Sequence, residues 1–173
     1  SEQGMKTLDE LSIAPSPLGS EELNSEAGIA ELDNSAVLKW SDGLMETHHL
    51  VRNVRKATLE QETLSRMHHN EAKKWSAKEG ERARKIEAYH RSMSGQDDDV
   101  EWIEENIRLI SIHDSSIAAV VIENALNLND NQKLRSDAAL LALDRGETRI
   151  AQIHIAKMNH SPSKKLFESR LAR

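Results

Sequence analysis

Apolar residues return at intervals of seven from Ser35 to Met93, and the rest of the chain is read around that stretch. Counted from Val37, one row runs through Leu44, Val51, Thr58, Ser65, Ala72, Glu79, Ile86 and Met93. A partner row runs through Trp40, Thr47, Val54, Gln61, His68, Trp75, Arg82 and Tyr89. Both rows are apolar at their ends and polar in the middle. There Ala57, Leu59, Leu64 and Met67 carry the stripe instead, the rotation that an interrupted heptad or a 3.6-residue period produces. No proline interrupts the stretch, its only glycines are Gly43 and Gly80, and pairs such as Glu62 with Arg66 and Glu81 with Lys85 support a helix by tenths of a kcal/mol each. The pattern therefore predicts one long helix or a helical hairpin over residues 35–94, coiled-coil-like and on the order of 80 Å long if unbroken. A stripe that long needs cover from another copy of the chain. Its expected oligomer interface is Val37, Trp40, Leu44, Val51, Val54, Leu64, Trp75, Ile86 and Tyr89.

Downstream the period shortens to single helices. Ser94-Gly95-Gln96 stops the central stretch, and Asp97 to Asp99 open a helix with the seam Val100, Ile103, Ile107 and Ile110, ending near Ile112. Asp114 and Ser115 cap a helix from Ile117 to Leu128 that is apolar on most sides. Asn129 to Asn131 turn the chain into a helix from about Gln132 to Arg145, and Gly146 stops it. A fifth helix reaches about Asn159, and Ser161-Pro162 start a last one. Residues 97–173 thus read as a small bundle of short helices. Upstream, residues 1–34 carry two prolines, scattered serines and glutamates, and single apolar residues such as Leu8, Leu11, Ile13, Leu18 and Leu32. That density is too low to offset ordering, so this segment is expected to be a flexible acidic arm. The overall expectation is an all-α protein.

Composition sharpens this picture. Five aromatic residues in 173 and no cysteine favour helix packing on Leu, Ile, Val and Ala, and they remove disulfides, thiolate metal sites and cysteine nucleophiles. The longest apolar run, Ile117 to Ile122, is far shorter than the roughly 20 residues needed to cross a bilayer, and no signal-peptide pattern opens the chain. A cytoplasmic location, or one within a macromolecular assembly, follows as the expectation, with no membrane partner. The net charge of −6 conceals alternating blocks: residues 1–35 and 95–146 are acidic, residues 36–94 and 147–173 basic. Such blocks favour contacts between subunits or segments, and the acidic arm is the expected seat of a protein partner.

Candidate chemistry is sparse. Glu46 with His49 and Glu87 with His90 match Glu-x-x-His, the spacing of di-iron bundles. The separation of the two motifs leaves little room for the intervening glutamate helix, and solvated surface side chains explain them more simply. His48-His49 and His68-His69 are adjacent on a helix, hence about 100° apart, and cannot share one ion unaided. No metal or cofactor is expected. No glycine-rich phosphate loop, nucleophile elbow or His-Glu-x-x-His is present, so no enzymatic activity is expected.

Basic residues offer the alternative. Arg52, Arg55, Lys56, Lys74, Lys78, Arg82 and Lys85 of the central stretch, with Lys164, Lys165, Arg170 and Arg173 near the end, could track a phosphate backbone. A weak helix-turn-helix can also be drawn from Ala142 through Gly146 to a helix ending at Met158, with Thr148, Arg149, Gln152 and Lys157 on its polar face. An arm, self-associating helices and a small helical domain together resemble assembly proteins in layout, including viral genome-packaging recognition subunits and secretion-system adaptors. That likeness is of shape alone. The functional expectation is a non-enzymatic structural or adaptor protein that self-associates through its central stretch and binds other macromolecules, with an oligomeric nucleic-acid-binding protein as the alternative.

Overall fold

A computed structural model describes residues 1–172, so Arg173, one of the candidate phosphate contacts, lies outside the described residues. Among those residues the chain forms ten α-helices and two short strands. It is mostly helical, and it divides into two compact units after His68.

The first unit replaces the expected arm and the start of the expected long helix. Helix α1 (Glu2–Ile13) and helix α2 (Ile29–Asn34) precede a hairpin of strands β1 (Leu38–Ser41) and β2 (Leu44–Thr47), followed by helix α3 (His49–Thr58). The hairpin pairs Leu38 with Thr47 and Ser41 with Leu44. Its two turn residues both have positive φ, 51° at Asp42 and 79° at Gly43, the conformation that Asp-Gly adopts in tight hairpins and that a helix cannot contain. Leu18 extends the sheet by one residue: its amide donates to Met45 O at 2.9 Å and its carbonyl accepts from Met45 N at 2.7 Å. The apolar residues that looked too sparse to order the segment converge here, with Leu11, Ile13, Leu18, Leu32, Leu38 and Met45 all buried. Gly28 lets the backbone run against α1, since a Cβ there would lie 2.4 Å from Thr7 Oγ1 and 2.9 Å from Gly4 Cα. Residues 1–34 are therefore folded, not a free arm, because long-range pairing supplies cover that local density does not reveal.

Residues 35–94 form no single long helix or helical hairpin. After the β-hairpin they make α3, α4 (Gln61–Ser76) and α5 (Glu81–Ser94). Leu59 is extended, with φ −91° and ψ 137°, and Gly80 has φ 99° and ψ 170°. Gly80 is thus a break, while the His68-His69-Asn70 segment stays helical inside α4.

The second unit starts at His69 and contains the end of α4, then α5, α6 (Asp97–His113), α7 (Ser115–Leu128), α8 (Gln132–Asp144), α9 (Thr148–Ala156) and α10 (Pro162–Leu171). From α5 onward each helix packs on the next, and α5 also packs on α7, α6 on α8 and α8 on α10. The caps stand where the sequence put them. Asp114 accepts from the amides of Ser116 and Ile117 at 3.1 and 3.0 Å, and Asn131 accepts from Leu134 N at 2.9 Å. Gly95 ends α5 in the left-handed region, and Ser161 caps α10 ahead of Pro162. The seam Val100, Ile103, Ile107 and Ile110 meets Val121, Ile122, Ala125, Leu134 and Leu141 in one core. A smaller core of Ala139, Ala142, Ala151, Ile155, Met158 and Phe167 joins α8, α9 and α10. No helix among the described residues is long and apolar enough to cross a membrane.

Candidate interaction surface

Helix α3 faces the wrong way for its composition. Its half-buried positions are Val51, Arg52, Arg55 and Lys56, so three of the four inward side chains are cations. Leu50, Asn53, Val54 and Ala57 are exposed, and Leu50 and Val54 keep 66% and 65% of their surface in solvent. Not one of its ten residues is fully buried. A ten-residue helix gains little from intrinsic propensity and ordinarily owes its stability to an apolar face turned inward. Across to α1, Arg55 pairs with both carboxylate oxygens of Asp9, Nη2 donating to Oδ2 at 3.0 Å and Nε to Oδ1. Between α1 and α3 lies an apolar groove of about 330 Å³ lined by Leu8, Leu50, Val51, Val54, Arg55 and Thr58.

The expected interface residues are distributed over several environments. Val37 and Leu44 are half-buried at the hairpin. Trp40 is exposed, its indole N–H donating to Asp33 Oδ1 at 2.8 Å. Leu64 is half-buried on α4. Trp75 and Ile86 are 1% and 2% exposed, and Tyr89 packs on the core of the second unit, so these three are covered by the chain itself. Only Val51 and Val54 line an open apolar surface, and Leu50 beside them escaped the heptad count because it falls on neither row.

The candidate phosphate contacts are equally dispersed. Lys74 lies 2.7 Å from Glu71, and Lys78 sits 4.4 Å from the Trp75 ring centre. Lys85 is shared by Glu81 and Asp114 at 3.5 and 3.6 Å. Lys164 donates to Met158 O at 3.1 Å, and Arg170 to Asp144 at 3.2 Å. Arg82 and Lys165 are exposed. Lys74, Lys78, Arg82 and Lys85 do not share one helix face, because α4 ends at Ser76 and the first two sit before the break at Gly80. Thr148, Arg149, Gln152 and Lys157 are exposed, on or just after α9.

Glu87 and His90 also depart from expectation. They are 7% and 1% exposed rather than solvated, and Glu87 belongs to a chain in which Arg91 bonds it at 2.8 Å and Asp99 at 2.5 Å. Ser94 Oγ donates to the other oxygen of Asp99, and the Arg91 guanidinium lies 4.7 Å from the Trp102 ring centre. Pairing of this kind is what makes buried charge tolerable. Glu46 pairs with Lys39 across the hairpin at 3.3 Å, while His48 and His49 are exposed. Among the described residues no three His, Asp or Glu side chains are grouped to hold a metal ion. His68 is 2% exposed, and burial, helped by the positive charge of Lys56, pushes its imidazole down to about 4.

No family model, curated protein or solved structure matches this chain.

Proposed function

We propose that the chain is a non-enzymatic structural or adaptor protein that self-associates through the outward stripe of α3. The observation that carries this reading is the inversion of α3, whose Leu50, Val54 and Ala57 face solvent while its cations face inward. An apolar stripe beside an apolar groove is a feature that monomers seldom leave open. Its occupant is a second copy of the chain. The cations Arg52 and Lys56 point away from the stripe, and the charged rim residue Arg55 is neutralised by Asp9. Two such faces can therefore meet about a two-fold axis without opposing like charges, as an isologous contact requires. A helix of ten residues spans only about 15 Å, and a standard interface needs roughly 800 Å² from each partner. The contact is accordingly a weak and concentration-dependent one, suited to assembly at high local concentration.

A photo-crosslinking amino acid in place of Asn53 tests the occupant. Adducts of twice the chain mass, together with a sedimentation coefficient that rises with concentration for the unmodified chain, are the expected results. A concentration-independent monomer overturns self-association. Adducts formed only with a different protein replace the second copy by that partner.

The nucleic-acid alternative draws less support. Its residues are spread over α3, α4, α5, α10 and the links beside them rather than along one face.

A further inference from the structure

In the second unit α7, α8 and α9 meet at a buried histidine that belongs to neither apolar core. His154 of α9 is 4% exposed. Its Nε2 lies 2.9 Å from Glu123 Oε1 on α7, and its Nδ1 lies 3.4 Å from Arg135 Nη1 on α8. A guanidinium can only donate, so Nδ1 is the accepting nitrogen. The ring proton is then on Nε2, which donates to Glu123. Arg135, 6% exposed, is anchored in turn by Asp130 in the link before α8, Nη2 donating to Oδ2 at 2.6 Å. Its Nε lies 2.5 Å from Oδ1 without hydrogen-bond alignment. Lys157, just past α9, adds a further positive charge that acts on the ring. Burial pushes the imidazole below its ordinary value; Glu123 opposes that, and Arg135 and Lys157 reinforce it.

α9 also packs on α8 and α10 through a small core in which three of the six residues are alanines.

We propose that His154 is a pH-operated latch: protonation of Nδ1 removes the lone pair that accepts from Arg135, sets imidazolium against guanidinium, and releases α9 from α7 and α8. Glu123 and Asp130 do not compensate, because both side chains are 55% exposed and screened by solvent. The released state is one in which His154 reaches water and titrates near its usual 6.5. While the docked ring stays neutral, the undocked population therefore rises roughly tenfold between pH 8 and pH 5.5.

Hydrogen–deuterium exchange of the full chain, corrected for the intrinsic pH dependence of exchange, reads this directly. Amides of α9 should exchange roughly tenfold faster at pH 5.5 than at pH 8, with α6 and α7 changing far less. In His154→Gln the amide offers both an acceptor for Arg135 and a donor for Glu123, so α9 should exchange alike at both pH values. A corrected ratio below twofold in the unmodified chain overturns the latch, as does an unchanged pH dependence in His154→Gln. If that variant opens α9 at every pH, ring NMR of His154 in the unmodified chain decides the matter: a titration midpoint away from that of α9 exchange overturns the proposal, and a coincident one upholds it.

Discussion

Two helices carry small and apolar side chains at the same spacing and meet opposite environments. On α7 the set is Ala118, Ile122 and Ala125, all buried; on α3 it is Leu50, Val54 and Ala57, all exposed. The difference lies in the neighbours. α6 and α8 bring Ile103, Ile107, Ile110, Leu134 and Leu141 to α7. Beside α3, helix α1 has turned Leu11 and Ile13 toward the interior and presents Leu8 and Asp9. Periodicity therefore identifies which face of a helix seeks cover, while the identity of the cover is set by long-range packing.

The strongest way to break the comparison is to weaken the covered side. Ile107, 1% exposed, contacts the core that encloses α7, and truncation to Ala removes buried methyl and methylene groups while leaving a cavity. Ile107→Ala should cost about 4 kcal/mol, measured as a fall in the urea midpoint of helix circular dichroism. A loss below about 1 kcal/mol would mean that α7 is held by something other than this core.

A smaller effect tests the first unit through pH. The folded-state pKa of His68 is depressed to about 4 by burial and by Lys56, whereas the unfolded ring titrates near 6.5. As pH falls through that window the unfolded state takes up the proton first, so stability is lost between about 6.5 and 4 and levels off below. The loss should reach roughly 3 kcal/mol, and His68→Gln should flatten this part of the pH–stability curve. A variant that keeps the full slope assigns it to other groups.

The second unit was legible in sequence because its signals are local. Helix starts at 115, 132 and 162 follow from caps at Asp114, Asn131 and Ser161, residues adjacent to the helices they start, and the acidic turn Asp97 to Asp99 opens the helix at 97. The first unit was not, for two reasons. The run Leu38-Lys39-Trp40-Ser41-Asp42-Gly43-Leu44-Met45 contains the Asp-Gly turn of a hairpin flanked by strand-forming residues, yet a heptad count from Val37 also passes through Trp40 and Leu44 and hides it. The pairing of Leu18 with Met45, 27 positions apart, is the second reason, since no window of the sequence contains it. At the interaction surface Val51 and Val54 were found by the heptad count. Leu50 was missed, and Trp75, Ile86 and Tyr89 were assigned to an outer seam although the chain itself covers them.

The smallest expected change in folding comes from α3 itself, and it is the sharpest test of the contrast with α7. Val54 is 65% exposed, so Val54→Glu removes little buried surface and introduces a charge already in water. Its effect on the urea midpoint should correspond to within about 0.5 kcal/mol, the usual range for surface substitutions away from special features. The same charge placed at a two-fold contact would face its own copy across a desolvated seam, where like-charge juxtaposition costs several kcal/mol. Val54→Glu should therefore leave helix content and stability intact while abolishing the concentration dependence of sedimentation. Ile122→Glu on α7, at a residue 2% exposed, should instead unfold the second unit. If Val54→Glu destabilises the monomer as a buried substitution would, α3 is covered within the chain and its stripe is not a contact surface.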